Sequence, residues 1–140
     1  TFPTLPRLEN LLLIKPKIQS LAGIGNLRSL HKLSIYRSNS LQRIADLSEL
    51  QKTLTEVEFD SCQKIEDLSS LGLIRNLRKI ILTNSGEVGS IDFVHQLHNL
   101  EFISFVKTNV RDGNLSHLKG IRYVGFDNKR HYSQKNTEFK

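Results

Sequence analysis

The sequence predicts an α/β solenoid of about six stacked units. Each unit gives one strand to a parallel sheet and returns through a short helical, 3₁₀ or extended segment. Pairs of apolar residues with one residue between them recur down the chain: Leu11/Leu13, Leu33/Ile35, Val57/Phe59, Ile80/Leu82, Ile103/Phe105 and Val124/Phe126. Their first members are 22, 24, 23, 23 and 21 residues apart, and self-similarity at such a period marks a repeat architecture. The 22 Leu and 12 Ile make up about a quarter of the 140 residues, with no Met and no Trp, as expected of one aliphatic layer repeated.

Alternation at period two makes each pair a strand with one face buried. In the first unit Leu8 precedes the pair by three, and the ladder Ile18-Leu21-Ile24-Leu27 follows at spacing three. The second unit repeats this with Leu30 and Leu41-Ile44-Leu47-Leu50, and then carries an extra residue in Leu50-Gln51-Lys52-Thr53-Leu54. The third has Leu54 and Ile65-Leu68-Leu71 with Ile74; the fourth has Leu77 and Ile91-Val94-Leu97. The fifth has Leu100 and Leu115-Leu118, and the sixth has Ile121. Two Gly-containing stretches, Asn84-Ser85-Gly86-Glu87-Val88-Gly89-Ser90 and Val110-Arg111-Asp112-Gly113-Asn114, read as loops bulging at the rim. One unit cannot bury its own aliphatic set, so neighbours must stack. The strands then lie side by side with their outer face in solvent.

This pattern resembles the leucine-rich repeat, L-x-x-L-x-L-x-x-N-x-L, over roughly residues 5 to 126, and its rhythm is similar to the short-repeat, internalin-like subclass. The resemblance implies a curved, right-handed solenoid with a concave parallel sheet. It also implies a non-enzymatic module that binds a protein partner through the concave face and rim loops. Where the family has Asn, this chain has Pro16, Ser38, Cys62, Ser85 and Thr108. The family's Asn side chains bond to loop backbone in a ladder; Ser, Thr and Cys do so only in part, and Pro16 offers no side-chain donor.

The expected organisation is a repeat domain over 1–126 and a polar cap or frayed tail over 127–140, where Tyr132 interrupts a polar run. No helix or hairpin pattern precedes Leu5, and an uncovered sheet edge is a liability. Upstream repeats or another chain are therefore expected to cover the N-terminal edge. The start Thr1-Phe2-Pro3 reads as a processed product or a piece of something longer.

Several chemistries are excluded. The longest apolar run, Leu11 to Ile14, is far short of a membrane span, so no membrane insertion is expected. The single cysteine, Cys62, rules out an internal disulfide and a paired-cysteine metal site. It leans toward a reducing compartment, leaving cytoplasmic favoured over secreted or cell-surface. His95 and His98 have only Asp92 near them in sequence, too little for a metal site. Glu56, Glu58 and Asp60 alternate on one strand of an open sheet that lacks a cleft for acid–base work. Gly23-Ile24-Gly25 lacks the third glycine of a dinucleotide loop. No catalytic residue, metal or cofactor is expected.

The outward strand positions form three rows: Asn10, Lys32, Glu56, Lys79, Phe102, Tyr123; then Leu12, Ser34, Glu58, Ile81, Ser104, Gly125; then Ile14, Tyr36, Asp60, Thr83, Val106, Asp127. Apolar and aromatic residues beside cations compose protein interfaces. The expected partner-binding residues are Lys79, Ile81, Phe102, Val106, Lys107 and Tyr123, with Tyr36 and Arg37. Leu12 and Ile14 are assigned instead to whatever covers the N-terminal edge.

The formal charge of +6 divides into +5 over 1–37, −4 over 38–71 and +5 over 72–140. A phosphate backbone laid across the face would meet the carboxylates of unit three. A protein partner of mixed charge fits this layout, and nucleic acid does not. The alternative reading makes the chain the recognition arm of a larger enzyme or receptor.

Overall fold

The computed structural model describes residues 2–139. Six strands form one parallel sheet: β1 (Asn10–Ile14), β2 (Lys32–Tyr36), β3 (Glu56–Asp60), β4 (Lys79–Thr83), β6 (Phe102–Ser104) and β8 (Tyr123–Gly125), side by side in that order. β5 (Gly86–Val88) and β7 (Thr108–Val110) form a second, two-stranded parallel sheet. The inward pairs sit directly opposite one another from Leu11/Leu13 to Val124. Between strands the chain returns through single 3₁₀ turns, as at Ile24–Asn26, Ser69–Leu73 and Asp92–Gln96.

The spacing-three ladder has a direct backbone cause. Three residues per turn is the period of a 3₁₀-helix, which places i and i+3 on one face. Leu27 N–H donates to Ile24 O, Leu30 N–H to Leu27 O, and the same bonds recur at Leu71, Ile74 and Leu77 and at Val94, Leu97 and Leu100. Along these stretches each apolar residue is thus hydrogen-bonded to the one before it while both side chains enter the core. The extra residue after Leu50 is taken up in a turn in which Thr53 and Leu54 N–H both donate to Leu50 O.

The polar column that replaces the family Asn is continuous. Cys62 Sγ donates to Ile35 O at 3.3 Å, Ser85 Oγ to Phe59 O at 3.2 Å and Thr108 Oγ1 to Leu82 O at 3.5 Å. Each bond reaches the second strand residue of the preceding unit. Ser38 Oγ reaches the Pro16 carbonyl at 3.5 Å, so Pro16 joins the column as an acceptor. Immediately after β1 to β4, Lys15, Arg37, Ser61 and Asn84 adopt left-handed φ between 49 and 57°, and Lys107, three residues past β6, does the same at 53°. The first four donate their N–H groups to a carbonyl of the next unit at 2.8–3.0 Å.

The two Gly-containing stretches differ from simple rim loops. Parts of them, β5 and the end of β7, pair as a ribbon beside the main sheet. Gly86, at φ +74°, turns the fourth unit into that path, and Ser85 N–H donates to Thr108 Oγ1 at 3.0 Å. Arg111 Nε donates to Glu87 Oε1 at 2.7 Å across the ribbon.

The two ends are built differently. At the N-terminal end only β2 pairs with β1 among the described residues, and Leu12 and Ile14 are 52% and 59% exposed. Residues 2–8 follow the path of a repeat: Ser29 Oγ donates to Pro6 O at 2.6 Å, one unit-length back, as Asn99 Nδ2 donates to Arg75 O. At the C-terminal end the chain after Phe126 lies back against units five and six. Tyr132 is buried with its ring edge-on to Phe105 and Phe126, and those two rings stack 5.0 Å apart. Its hydroxyl accepts from Val110 N–H at 3.1 Å and donates to Thr108 O at 3.3 Å. Gly113 permits this approach, because a side chain there would meet the His131 carbonyl.

Two consequences are measurable by urea unfolding. Tyr132→Phe keeps the ring but leaves the Val110 N–H without its acceptor, and should lower stability by about 1–3 kcal/mol at neutral pH. Burial pushes both the Cys62 thiol and the Tyr132 phenol upward. A pKa raised on folding stabilises the fold below the unfolded value, and that contribution is lost as pH rises toward the folded one. Stability should therefore fall from about pH 8.5 upward. The fall should be shallower in Cys62→Ser and in Tyr132→Phe; an unchanged alkaline slope in the double variant would contradict it.

Candidate binding face

Because the inward pairs are in register, so are the residues between them. Asn10, Lys32, Glu56, Lys79, Phe102 and Tyr123 lie directly opposite one another across six strands, and Leu12, Ser34, Glu58, Ile81, Ser104 and Gly125 form a second row. The third row, Ile14, Tyr36, Asp60 and Thr83, crosses only β1 to β4. β6 and β8 end at Ser104 and Gly125, so Val106 and Asp127 lie past the strand ends.

Three of the expected residues gather into one stack. The Phe102 and Tyr123 rings lie 4.2 Å apart and 11° from parallel. Lys79 Nζ stands 4.7 Å from the Phe102 ring centroid. A ring pair of this kind adds about 0.5–1.5 kcal/mol and an exposed cation–π contact about 0.5–1 kcal/mol. Gly125 makes the geometry feasible: a Cβ there would sit 3.0 Å from the Tyr123 hydroxyl oxygen and 3.1 Å from its Cε1. The Tyr123 ring therefore lies along its own strand over the empty side of Gly125.

Ile81 is half-buried on the neighbouring strand, opposite Ser104. Val106 is half-buried just beyond β6, its carbonyl accepting from Asn84 N–H at 3.0 Å. Lys107 has an exposed side chain, and its N–H donates to Asp127 Oδ2 at 2.8 Å in place of the strand carbonyl used by the other four left-handed residues. Arg122, missed from sequence because it precedes the alternating segment, is exposed at the start of β8.

Tyr36 and Arg37 stand apart from this group, on and just after β2, with β3 between. The Tyr36 hydroxyl donates to Glu58 Oε1 at 3.0 Å, and that bond holds the phenol above the ordinary tyrosine range. Arg37 N–H donates to Asp60 O at 2.8 Å. Glu56 faces Lys32 Nζ at 3.8 Å, and Asp60 Oδ1 accepts from Ser61 Oγ at 2.9 Å. The face thus has an acidic, hydroxyl-bonded half around β3 and an aromatic half over β4, β6 and β8. His95, on the return side, stacks obliquely with His117, ring centroids 5.6 Å apart, one unit away.

A scan against protein-family models finds no match, and neither does a search of the curated proteins. Twelve solved chains do match. One is an internalin C2 from Listeria monocytogenes str. 4b F2365, with a TM-score of 0.59 at 18% identity over 84% of this chain. The fold is a leucine-rich-repeat solenoid. The chain spans 60% of the length of that internalin structure. No helix of the described residues is long and apolar enough to cross a membrane. No group of three or more His, Cys, Asp and Glu side chains is gathered for a metal ion among the same residues.

The ring pair on this leucine-rich-repeat face can be tested without a partner. Gly125→Ala should displace the Tyr123 ring, because the new Cβ and the flexible phenol compete for one space. Loss of near-ultraviolet circular dichroism and of the Phe102–Tyr123 ring-current shifts is the expected result. The unfolding free energy should fall by no more than the roughly 0.5–1.5 kcal/mol that the ring pair contributes, since Gly125 faces outward.

Proposed function

We propose that the chain is a non-enzymatic protein-interaction module of the short-repeat, internalin-like kind, binding a protein of mixed charge through its concave face and rim loops. The observation that carries this is the stack of Lys79, Phe102 and Tyr123 on an open sheet. Exposed aromatic area flanked by cations is what interface centres are made of, and Tyr123 is 49% exposed. Ile81, Val106 and Lys107 extend the same patch, while Tyr36 and Arg37 border it from the acidic half. The neighbouring internalin and the 21–24-residue spacing of units support the subclass. Residues 1–126 act as the repeat domain and 127–140 as its closing segment.

Area constrains the reading. Six strands ~4.8 Å apart give a sheet ~24 Å wide and only ~10–15 Å deep. A standard interface needs ~800 Å² per partner. The rim must therefore contribute, and Lys107, Arg111 and Glu87 are the residues placed there.

The test uses a partner isolated by cross-linking to the immobilised chain and then purified. Phe102→Ala and Tyr123→Ala should each weaken its binding about tenfold or more, as removal of an interface anchor does. Leu73→Ala, exposed on the return side, should leave the Kd unchanged. Retained affinity in both ring variants together with loss in Leu73→Ala would place the interface on the other side.

A further inference from the structure

We infer that the segment received by the aromatic half of the face is an acidic polypeptide, an extended stretch carrying Glu or Asp beside apolar side chains. This rests on the protein-binding reading and narrows it to a partner chemistry.

Three cations lie on or next to the strands that frame the ring pair. Lys79 lies on the inner side, Arg122 at the start of β8, and Lys107 beyond the end of β6. Among the described residues no carboxylate lies within 4.0 Å of the side-chain nitrogens of any of the three. The nearby acids are engaged elsewhere. Glu56 faces Lys32 at 3.8 Å, Glu101 is held by Arg78 at 2.8 Å, and Asp127 accepts the Lys107 backbone N–H. An acidic segment would supply the missing counter-charges at both strand ends. From β4 to β8 is two strand spacings of ~4.8 Å, which an extended chain at ~3.3 Å per residue crosses in three to four residues. Apolar side chains would then meet the ring edges, Ile81 and Val106. The carboxylates of Glu58 and Asp60 repel such a segment on the far side and fix where it stops.

The same cations and rings could attract a single-stranded nucleic acid, and the ring geometry argues against it. Bases bind by stacking on open aromatic faces. One face of Phe102 is covered by Tyr123 and the other by the Lys79 ammonium. That leaves Tyr123, which is 49% exposed, and a strand continuing inward would cross Glu58 and Asp60. A second copy of the chain apposing this same patch would bring like charges together.

Three labelled probes decide between these occupants: a capped octapeptide alternating Glu with Leu and Phe, its Lys counterpart, and a ten-nucleotide oligothymidine. Fluorescence anisotropy gives the affinities at 50 and 300 mM salt, and amide chemical shifts give the site. The Glu peptide should bind at least tenfold more tightly than the Lys peptide, weaken with salt, and shift Phe102, Ser104 and Tyr123. Lys107→Gln/Arg122→Gln, both at exposed positions, should weaken the Glu peptide at least fivefold with unchanged circular dichroism. Equal or tighter binding of the Lys peptide or the oligothymidine overturns the inference, as do shifts confined to another surface or no binding by the Glu peptide. The two readings also separate on the purified partner. If it needs Phe102 and Tyr123 but tolerates Ala at each of its own acidic residues, the protein-binding reading stands and the acidic-segment inference fails.

Discussion

The parallel register between units is the constraint from which the rest of the molecule follows. Ile103 lies opposite Val124 because each unit can bury its aliphatic pair only against the pairs beside it. A one-residue slip would send the whole inward set to solvent. With the inward residues fixed, the outward ones have no freedom either. Phe102 meets Tyr123, and Glu56 meets both Lys32 and Lys79, because the core has aligned them. The outward face is in this sense a by-product of the core, which fixes its alignment and not its composition.

Holding that register across unequal units is the task of the polar column and the left-handed residues. Cys62, Ser85 and Thr108 each carry one short donor to a carbonyl of the unit before. A single hydroxyl or thiol meets that requirement, so the longer Asn of the family pattern is dispensable here. The left-handed residues are non-glycine at all five places, although each such residue costs roughly 1–2 kcal/mol. Each gives its N–H to the next unit, the last to Asp127 Oδ2, where no strand carbonyl continues the row. A side-chain carboxylate thus closes a backbone ladder at the point where the chain leaves the solenoid.

What could be read from the sequence is what has a period. Alternation at two matches the burial of β1, β3 and β4, and of β2 except at Ser34, which is buried although it belongs to an outward row; the spacing near 23 put the first two rows in their observed register across all six strands. The spacing-three ladders announced one-turn return segments. What escaped is what depends on one residue meeting another outside that period. The β5–β7 ribbon arises because Gly86 turns at positive φ and Ser85 finds Thr108, and neither contact has a sequence signature. β6 and β8 stop at Ser104 and Gly125, which leaves Val106 past the ladder, and the alternation in the sequence does not mark that stop. Tyr36 could not be separated from Phe102 and Tyr123 by rows alone, because its hydroxyl is bound to Glu58 across the strand pair. Gly125 carried a signal that could have been used: a glycine at an outward position, two residues after an aromatic, leaves room for that ring to lie down.

The net charge of +6 says little by itself, and its meaning lies in how far apart the signs are kept. Charged groups separated by more than about 8–10 Å are largely screened at physiological salt. The carboxylates of β3 therefore act on what lies over β2 to β4, and the cations around β6 and β8 on what lies there. A partner of uniform sign would be repelled by one half while attracted by the other. Only a partner whose own charges alternate along its path gains from both. On the proposed reading, such a surface would select by order of charge more than by strength, with a core that the charges never touch.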